Sequence, residues 1–223
     1  MPRVIAHRGA SGHAYENSPS AFRQAAEFGA DGVELDIHTT TDGVFLVHHD
    51  AWVEDVGIIG ELPLAAFASH KLPNGEPIPT LAEALQLLNG LDVWVEVKTL
   101  PAQADAHFLQ MLDSGPTPDR YAIHGFDHRI VARLGEQRPE LRRGVLLASY
   151  LLDTLQVVHG VGVDTLWMES HMIDAELVAE LHADGRRLIA WTANEERDIR
   201  RLIELEVDGI CGNFPDRIRA LLR

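Results

Sequence analysis

Short apolar segments alternate with amphipathic stretches along the whole chain. The apolar segments are rich in Val, Ile and Leu, which is typical of strands in a parallel sheet that is covered on both faces. The stretches between them repeat apolar residues at helical spacing, as in Leu177, Val178 and Leu181. The pattern predicts eight strands, near Val4–Ala6, Gly32–His38, Asp92–Lys98, Tyr121–Gly125, Leu141–Leu147, Thr165–Glu169, Arg187–Trp191 and Gly209–Gly212.

The stretches between the strands begin and end at residues that favour helix termini. Ser18 and Pro19 combine an N-cap with a first-turn proline, and Gly29 ends that helix. Asp174 can cap a later helix. Asn194 precedes a first turn with two glutamates, which suits the helix dipole. Strands and helices are therefore expected to alternate along the chain.

Eight strands that alternate with helices in 223 residues predict an α/β fold, the (β/α)₈ TIM barrel. A doubly wound open sheet is the alternative, but no glycine-rich dinucleotide motif follows the first strand. No linker divides the chain, so residues 1–223 are expected to form a single domain. Residues 50–79 exceed the roughly 2–6 residues of a typical βα loop. They follow a strand-like segment, Val44–His49, and predict a small insertion after the second strand, as a lid or subdomain at the barrel mouth.

The composition excludes several classes of binding partner. With 34 acidic and 19 basic residues the formal net charge is −15, which argues against nucleic acid and against an anionic membrane surface. We find no apolar run long enough to span a bilayer and no signal-peptide pattern, so we expect a cytoplasmic protein without stable membrane association. The single cysteine, Cys211, excludes an internal disulfide and looks like a buried barrel residue. The oligomeric state is not predicted.

Two acidic residues interrupt one apolar strand. Glu34 and Asp36 are two positions apart, so they point to the same face of the strand. Like charges on a buried face need a cation or a shared proton. Glu96 and Lys98 repeat the spacing on the next predicted barrel strand. Two acidic residues at this spacing, taken alone, also fit a half-exposed strand. Glu96 and Lys98 also fit a buried ion pair. The repetition of the spacing on two strands favours a functional site.

Further polar residues lie near the same strand ends. His7 and Arg8 end the first strand, and His49 follows the Val44–Val47 segment. In a barrel these ends converge on the catalytic face. Carboxylates hold Mg²⁺ or Ca²⁺, cations balance the charge of a phosphate, and two histidines exchange protons, so the set suits phosphoester chemistry. Only one of the adjacent His48 and His49 can enter the site.

Other candidate residues fit structural roles at least as well as functional ones. Trp191 either walls the pocket or fills the barrel. Four histidines near strand ends are expected to be structural or pocket-lining: His13, His38, His124 and His171.

These residues resemble the glycerophosphodiester phosphodiesterase family over nearly the whole chain. The resemblance is carried, in family order, by His7-Arg8-Gly9, Tyr15-Glu16-Asn17-Ser18, Glu34-x-Asp36, Val47-His48-His49-Asp50, Ile78-Pro79-Thr80-Leu81, Glu96-Val97-Lys98, Trp191-Thr192-Ala193-Asn194 and Gly209-Ile210. Each motif is weak alone, but the ordered set is specific. The second-histidine motif ends in His-Asp and therefore selects His49 over His48.

The resemblance implies a TIM barrel that uses a divalent cation to cleave glycerophosphodiesters into sn-glycerol 3-phosphate and an alcohol. It implies Mg²⁺ or Ca²⁺ as the cation, with Mn²⁺ also suitable. The roles that it implies are acid–base catalysis by His7 and His49, metal binding by Glu34, Asp36 and Glu96, phosphate or substrate binding by Arg8, Lys98 and Trp191, and support by Glu16 and Asn17.

The sequence departs from the family pattern at several positions. Tyr15 replaces a proline, Trp52–Asp55 replaces a common Arg-Thr-Thr stretch, Gly212-Asn213 replaces a frequent Thr-Asp, and His124 stands where serine is frequent. Two alternative functions stay open: a related barrel lyase that forms cyclic phosphates, and a phosphodiester-binding protein without turnover. The lyases are usually secreted and carry disulfides, and a binding protein has no need of two histidines.

Overall fold

Eight parallel strands close into a barrel in the computed structural model, which describes residues 1–223. The strands are β1 Arg3–His7, β2 Gly32–Thr39, β3 Phe45–Val47, β4 Trp52–Val53, β5 Gly57–Ile58, β6 Asp92–Val97, β7 Tyr121–His124, β8 Arg142–Leu147, β9 Thr165–Glu169, β10 Arg187–Trp191 and β11 Gly209–Gly212. The helices are α1 Pro19–Glu27, α2 Leu81–Leu87, α3 Asp105–Asp113, α4 His128–Gln137, α5 Thr154–Val161, α6 Ala175–Ala183, α7 Glu196–Glu204 and α8 Pro215–Leu221.

The barrel is closed by β1, which pairs in parallel with β2 on one side and with β11 on the other. The remaining barrel strands, β6 to β10, follow in chain order. The predicted TIM barrel is confirmed, and the open doubly wound sheet is excluded. The predicted strand bounds differ from the observed ones by one residue at several ends.

The helix termini follow the capping residues in the sequence. The Ser18 hydroxyl accepts a hydrogen bond from the Ala21 N–H, and the Asp174 carboxylate accepts one from the Leu177 N–H. The α7 helix differs, because Glu195 is its N-cap and makes no side-chain hydrogen bond there.

Two apolar layers hold the barrel. The outer layer lies between strands and helices, and its largest buried side chains include Phe22, Phe45 and Phe108. The inner layer is a small plug inside the barrel, made of Ile5, Trp94, Ala122, Leu146, Trp167, Ile189 and Cys211. Cys211 is fully buried in this plug, as expected. None of the helices has the length and apolar character needed to cross a bilayer.

The insertion after the second barrel strand has its own small core. The β3 strand runs antiparallel to β2, and the β4–β5 hairpin follows it. Between β5 and α2 the chain forms two 3₁₀ turns, Ile59–Glu61 and Leu64–Phe67. Six buried residues form the core of this segment: Leu46, Val53, Ile59, Phe67, Leu72 and Ile78.

Candidate active site

The register of the barrel brings five polar side chains to one end. Side chains alternate between the inside and outside of a barrel strand, so every second residue faces inward. His7 on β1 pairs with Glu34 on β2, and Asp36 pairs with Glu96 on β6. Lys98 follows two residues after Glu96. These positions lie at the C-terminal ends of the strands, where (β/α)₈ enzymes carry their active sites.

Three buried carboxylates meet at this end. Glu34, Asp36 and Glu96 each offer an oxygen within 4.8 Å of the other two. Burial disfavours the ionised form and, together with the neighbouring Asp36, raises the pKa of Glu34 to about 7. Burial is also the main cause that raises the pKa of Glu96 to about 7. Without a cation, these two acids are therefore partly protonated at neutral pH.

Asp36 is the carboxylate that stays ionised. Burial alone would raise its pKa, but Lys98 and Arg8, with a hydrogen bond from Asn17, hold the pKa well below its usual range. Lys98 Nζ lies 3.1 Å from Oδ1, and Arg8 Nε lies 3.2 Å from Oδ2. Asn17 Nδ2 donates to Oδ2 over 2.7 Å from a left-handed backbone conformation that asparagine tolerates. Oδ1 is buried without a well-aligned hydrogen-bond donor.

The two cations of the site are both held by carboxylates. Lys98 Nζ lies 2.6 Å from Glu96 Oε1, so the ammonium bridges Glu96 and Asp36. Arg8 Nη1 donates to both carboxylate oxygens of Glu16 over 2.9 Å. The Arg8 backbone N–H donates to Glu34 Oε2 over 3.1 Å. Glu16 therefore orients the Arg8 guanidinium at the edge of the site.

His7 is oriented by an asparagine from the last barrel strand's end. Its Nδ1–H donates to Asn213 Oδ1 over 2.8 Å, which leaves Nε2 with the free lone pair, 3.9 Å from Glu34 Oε2. Both backbone polar groups of Asn213 make hydrogen bonds. Its N–H donates to Asn194 Oδ1 and its carbonyl accepts from the Gly12 N–H, each over 2.8 Å.

The two adjacent histidines point in different directions. His49 lines the pocket, and its Nδ1–H donates to Asp50 Oδ1 over 2.7 Å. His48 does not line the pocket, and its Nδ1–H donates to the Asp50 carbonyl. His38 lies beneath this loop, where its Nε2–H donates to the His49 carbonyl over 3.0 Å. Burial lowers the pKa of His38, which suits a neutral supporting residue.

His124 lies deeper in the same pocket. It pairs in register with Glu96, and its Nε2 is 3.8 Å from Glu34 Oε1. Its ring packs on Trp167 and Trp94, with centroid distances of 4.2 and 5.7 Å. Burial lowers the pKa of His124 to about 4, so the imidazole is neutral at physiological pH. Neither ring nitrogen has a hydrogen-bond partner.

An apolar wall borders the polar end of the pocket. Trp191 and Phe126 pack edge to face at 5.6 Å, and both line the cavity together with Leu146 and Trp167. Trp191 also packs against the apolar plug inside the barrel, so both of the roles considered for it are observed. The cavity volume is about 50 Å³.

The three carboxylates fit a hard divalent cation. Their buried oxygens are close enough to bind one ion. Asp36 Oδ1 has no well-aligned hydrogen-bond donor and is therefore available as a ligand. Oxygen-only carboxylate sets suit Mg²⁺, Ca²⁺ and Mn²⁺. The same ion would stabilise the ionised forms of Glu34 and Glu96, which burial now disfavours.

Two of the considered histidines lie outside the site. His13 pairs with Asp216 and packs on Phe214, and the exposed His171 pairs with Glu169. Asn213, by contrast, enters the site as the partner of His7, a role that the sequence interpretation missed. Its position two residues after Cys211 places it on the inward face, and this strand periodicity is the signal that identifies it.

Comparisons with known proteins identify the family of this chain. The model of the glycerophosphoryl diester phosphodiesterase family matches residues 7–217. A glycerophosphodiester phosphodiesterase of Caldanaerobacter subterraneus subsp. tengcongensis is 30% identical, over 99% of this chain and 97% of that protein. One from Bacillus altitudinis is 28% identical, over 97% of this chain and 96% of that protein.

The fold has close counterparts among solved structures. A phosphodiesterase of Oleispira antarctica, solved in complex with the product sn-glycerol-3-phosphate, superposes with a TM-score of 0.92. The superposition covers 100% of this chain and 97% of the Oleispira antarctica chain, at 24% sequence identity. At this identity the likeness concerns the fold alone. The family match over most of the chain and the relative at 30% identity establish the relationship. The chain belongs to the glycerophosphoryl diester phosphodiesterase family.

Proposed function

We propose that this chain hydrolyses glycerophosphodiesters to sn-glycerol 3-phosphate and an alcohol, with a divalent cation bound by Glu34, Asp36 and Glu96. The observation that carries the proposal is that a buried cluster of three carboxylates, the imidazoles of His7 and His49, and two cations converge at one end of the barrel. Mg²⁺ and Ca²⁺ suit the oxygen ligands best, and Mn²⁺ is also suitable. The bound cation would polarise the phosphoryl oxygens of the substrate.

The two histidines are proposed to move the protons of the reaction. Both donate Nδ1–H to an oxygen acceptor, Asn213 for His7 and Asp50 for His49, so each keeps Nε2 for the substrate. One imidazole takes a proton from the nucleophile and the other gives one to the leaving oxygen. Proton transfer of this kind contributes typically about 10²–10⁴-fold to the rate.

Arg8 and Lys98 are proposed to bind the phosphate. Their charged groups already face the carboxylates, so a cation at that position would free part of their charge for the substrate. Arg8 keeps its orientation through Glu16, and Asn17 keeps Asp36 in place. Trp191 and Phe126 form the apolar side of the cavity.

We propose that the glycerol 3-phosphate part of the substrate binds at the carboxylate cluster. The Oleispira antarctica structure holds sn-glycerol-3-phosphate as product, in a chain of the same fold. The carboxylate cluster and the cations Arg8 and Lys98 border the same cavity, where the phosphate of such a product could bind. The alcohol would then leave toward the open mouth.

Product analysis tests the proposal. Purified protein is incubated with glycerophosphocholine and with glycerophosphoethanolamine, with and without Mg²⁺, Ca²⁺ or Mn²⁺, and the products are followed by ³¹P NMR. We expect sn-glycerol 3-phosphate, no turnover in EDTA, and recovery on addition of metal. A persistent cyclic phosphate would instead identify a lyase, and unchanged substrate with every metal would identify a binding protein. Full turnover in EDTA by protein that contains no metal would refute the carboxylate assignment.

A further inference from the structure

The N-terminal end of the barrel carries a second polar cluster, far from the site described above. Inward-facing residues at the strand starts are Arg3 on β1, Asp92 on β6, Arg142 on β8 and Arg187 on β10, each two residues before the next inward position. They surround a cavity of about 200 Å³. The apolar plug, including Ile5, separates this cavity from the catalytic end.

The charges around this N-terminal cavity are not balanced. Asp92 is shared by three guanidiniums, at 2.6 Å from Arg3, 3.5 Å from Arg120 and 4.0 Å from Arg142. Arg187 is within ion-pair distance of no carboxylate, although the protein as a whole has a net charge of −15.

The second carboxylate of the cavity is already engaged. Asp208 Oδ2 accepts from the Leu188 N–H over 2.8 Å and lies 3.0 Å from His182 Nε2. The carboxylates of the cavity therefore leave the guanidinium of Arg187 without an ion-pair partner.

Arg142 is the most enclosed of the three arginines that line the cavity. Its Nη2 donates to the Arg120 carbonyl over 2.7 Å, and its guanidinium lies over the Trp94 ring at 5.9 Å. Its Nε is buried without a hydrogen-bond partner. Partial burial also lowers the pKa of Arg142, with Arg187 and Arg3 acting in the same direction and Asp92 and Asp164 opposing it.

We propose that the N-terminal cavity is a binding site for a small, multiply charged oxyanion of the size of inorganic phosphate. Guanidinium groups bind such anions through pairs of parallel N–H···O bonds. Arg187 has no carboxylate partner, and Arg142, which shares Asp92 at 4.0 Å, keeps a buried Nε without a hydrogen-bond partner. The site is independent of the proposed catalytic function. Arg3 and His7 are four positions apart on β1, which places the two sites about 13 Å apart along the strand.

Titration calorimetry with inorganic phosphate tests this site in metal-free protein. Arg187→Gln removes a solvent-exposed charge that has no ion-pair partner, so the variant is expected to fold and to keep its phosphodiesterase activity. We expect it to weaken phosphate binding at this site about tenfold or more. Asp92→Asn removes a competing carboxylate, so it is expected to act in the opposite direction and to tighten binding.

Lys98→Met serves as the matched control because it removes a charge at the catalytic end. Phosphate binding that survives Lys98→Met and is weakened by Arg187→Gln supports the site. Binding that is lost in Lys98→Met and unchanged in Arg187→Gln belongs to the catalytic end, and this result overturns the proposal. Tighter binding in Asp92→Asn separates an anion site from an ion-pair layer that only closes the barrel. Weaker binding in both Asp92→Asn and Arg187→Gln would identify such a closing layer.

Discussion

Metal binding by this protein should release protons, and the number follows from the carboxylate cluster. Burial raises the pKa of Glu34 and of Glu96 to about 7, whereas Asp36 stays ionised beside Lys98 and Arg8. A cation binds the ionised carboxylates, so it must displace any proton that they carry. At pH 7 each of the two acids is about half protonated, and filling the site should release about one proton per ion.

The same two groups set the pH dependence of metal affinity. Their pKa values are raised, so protons compete with the metal below about pH 7 and cease to compete above about pH 8. Each group then weakens binding about tenfold on going from pH 8 to pH 6, and the dissociation constant should rise about a hundredfold in total. Proton release should grow toward two per ion at pH 6 and approach zero above pH 8.

Calorimetry in buffers of different ionisation enthalpy measures this proton release directly. Mn²⁺ or Mg²⁺ is titrated into EDTA-treated and dialysed protein at pH 6, 7 and 8. Glu34→Gln removes one of the two titrating groups and should reduce the release at pH 7 to about half a proton per ion. No proton release at pH 7, together with a dissociation constant that is constant between pH 6 and 8, would show that both carboxylates are already ionised and would refute the reasoning.

Two further predictions concern the histidines. His49→Ala should abolish turnover while His48→Ala retains most of it, because only His49 lines the pocket; equal loss in steady-state assays of both variants would contradict this assignment. Asn213→Ala should lower kcat about 10–100-fold with little change in KM, because His7 loses the acceptor that fixes its tautomer. Asn213→Asp keeps an acceptor at that position and should recover most of kcat, and full activity in Asn213→Ala would remove this role.

Strand periodicity accounts for most of what could be predicted from the sequence. Apolar segments at regular intervals gave the barrel, and the two-residue spacing of Glu34 and Asp36 placed their carboxylates on one inward face. The partners of each side chain depend on strand register, which local sequence does not encode. Asn213 meets His7 across 206 positions of sequence, and only closure of the barrel brings them together.

Local capping rules were accurate where the cap is a short-range contact. Ser18 and Asp174 accept hydrogen bonds from residues three positions later, as their sequence context predicts. Asn194 looks like part of a helix start, but its side chain is used to hold Asn213. A tertiary contact has therefore replaced a local one at a position that supports the site.

The apolar plug contributes to the burial that raises the pKa values of Glu34 and Glu96. Trp94 and Trp167 fill the barrel directly below His124, which lies 3.8 Å from Glu34, and all three rings are almost fully buried. They keep water away from the lower side of the cluster, so the ionised forms lack hydration, and protons or a cation must compensate the charge. The acidic residues supply the metal ligands. The tryptophans beneath them increase the burial of these carboxylates, and therefore the stabilisation that the ionised forms gain from a bound cation.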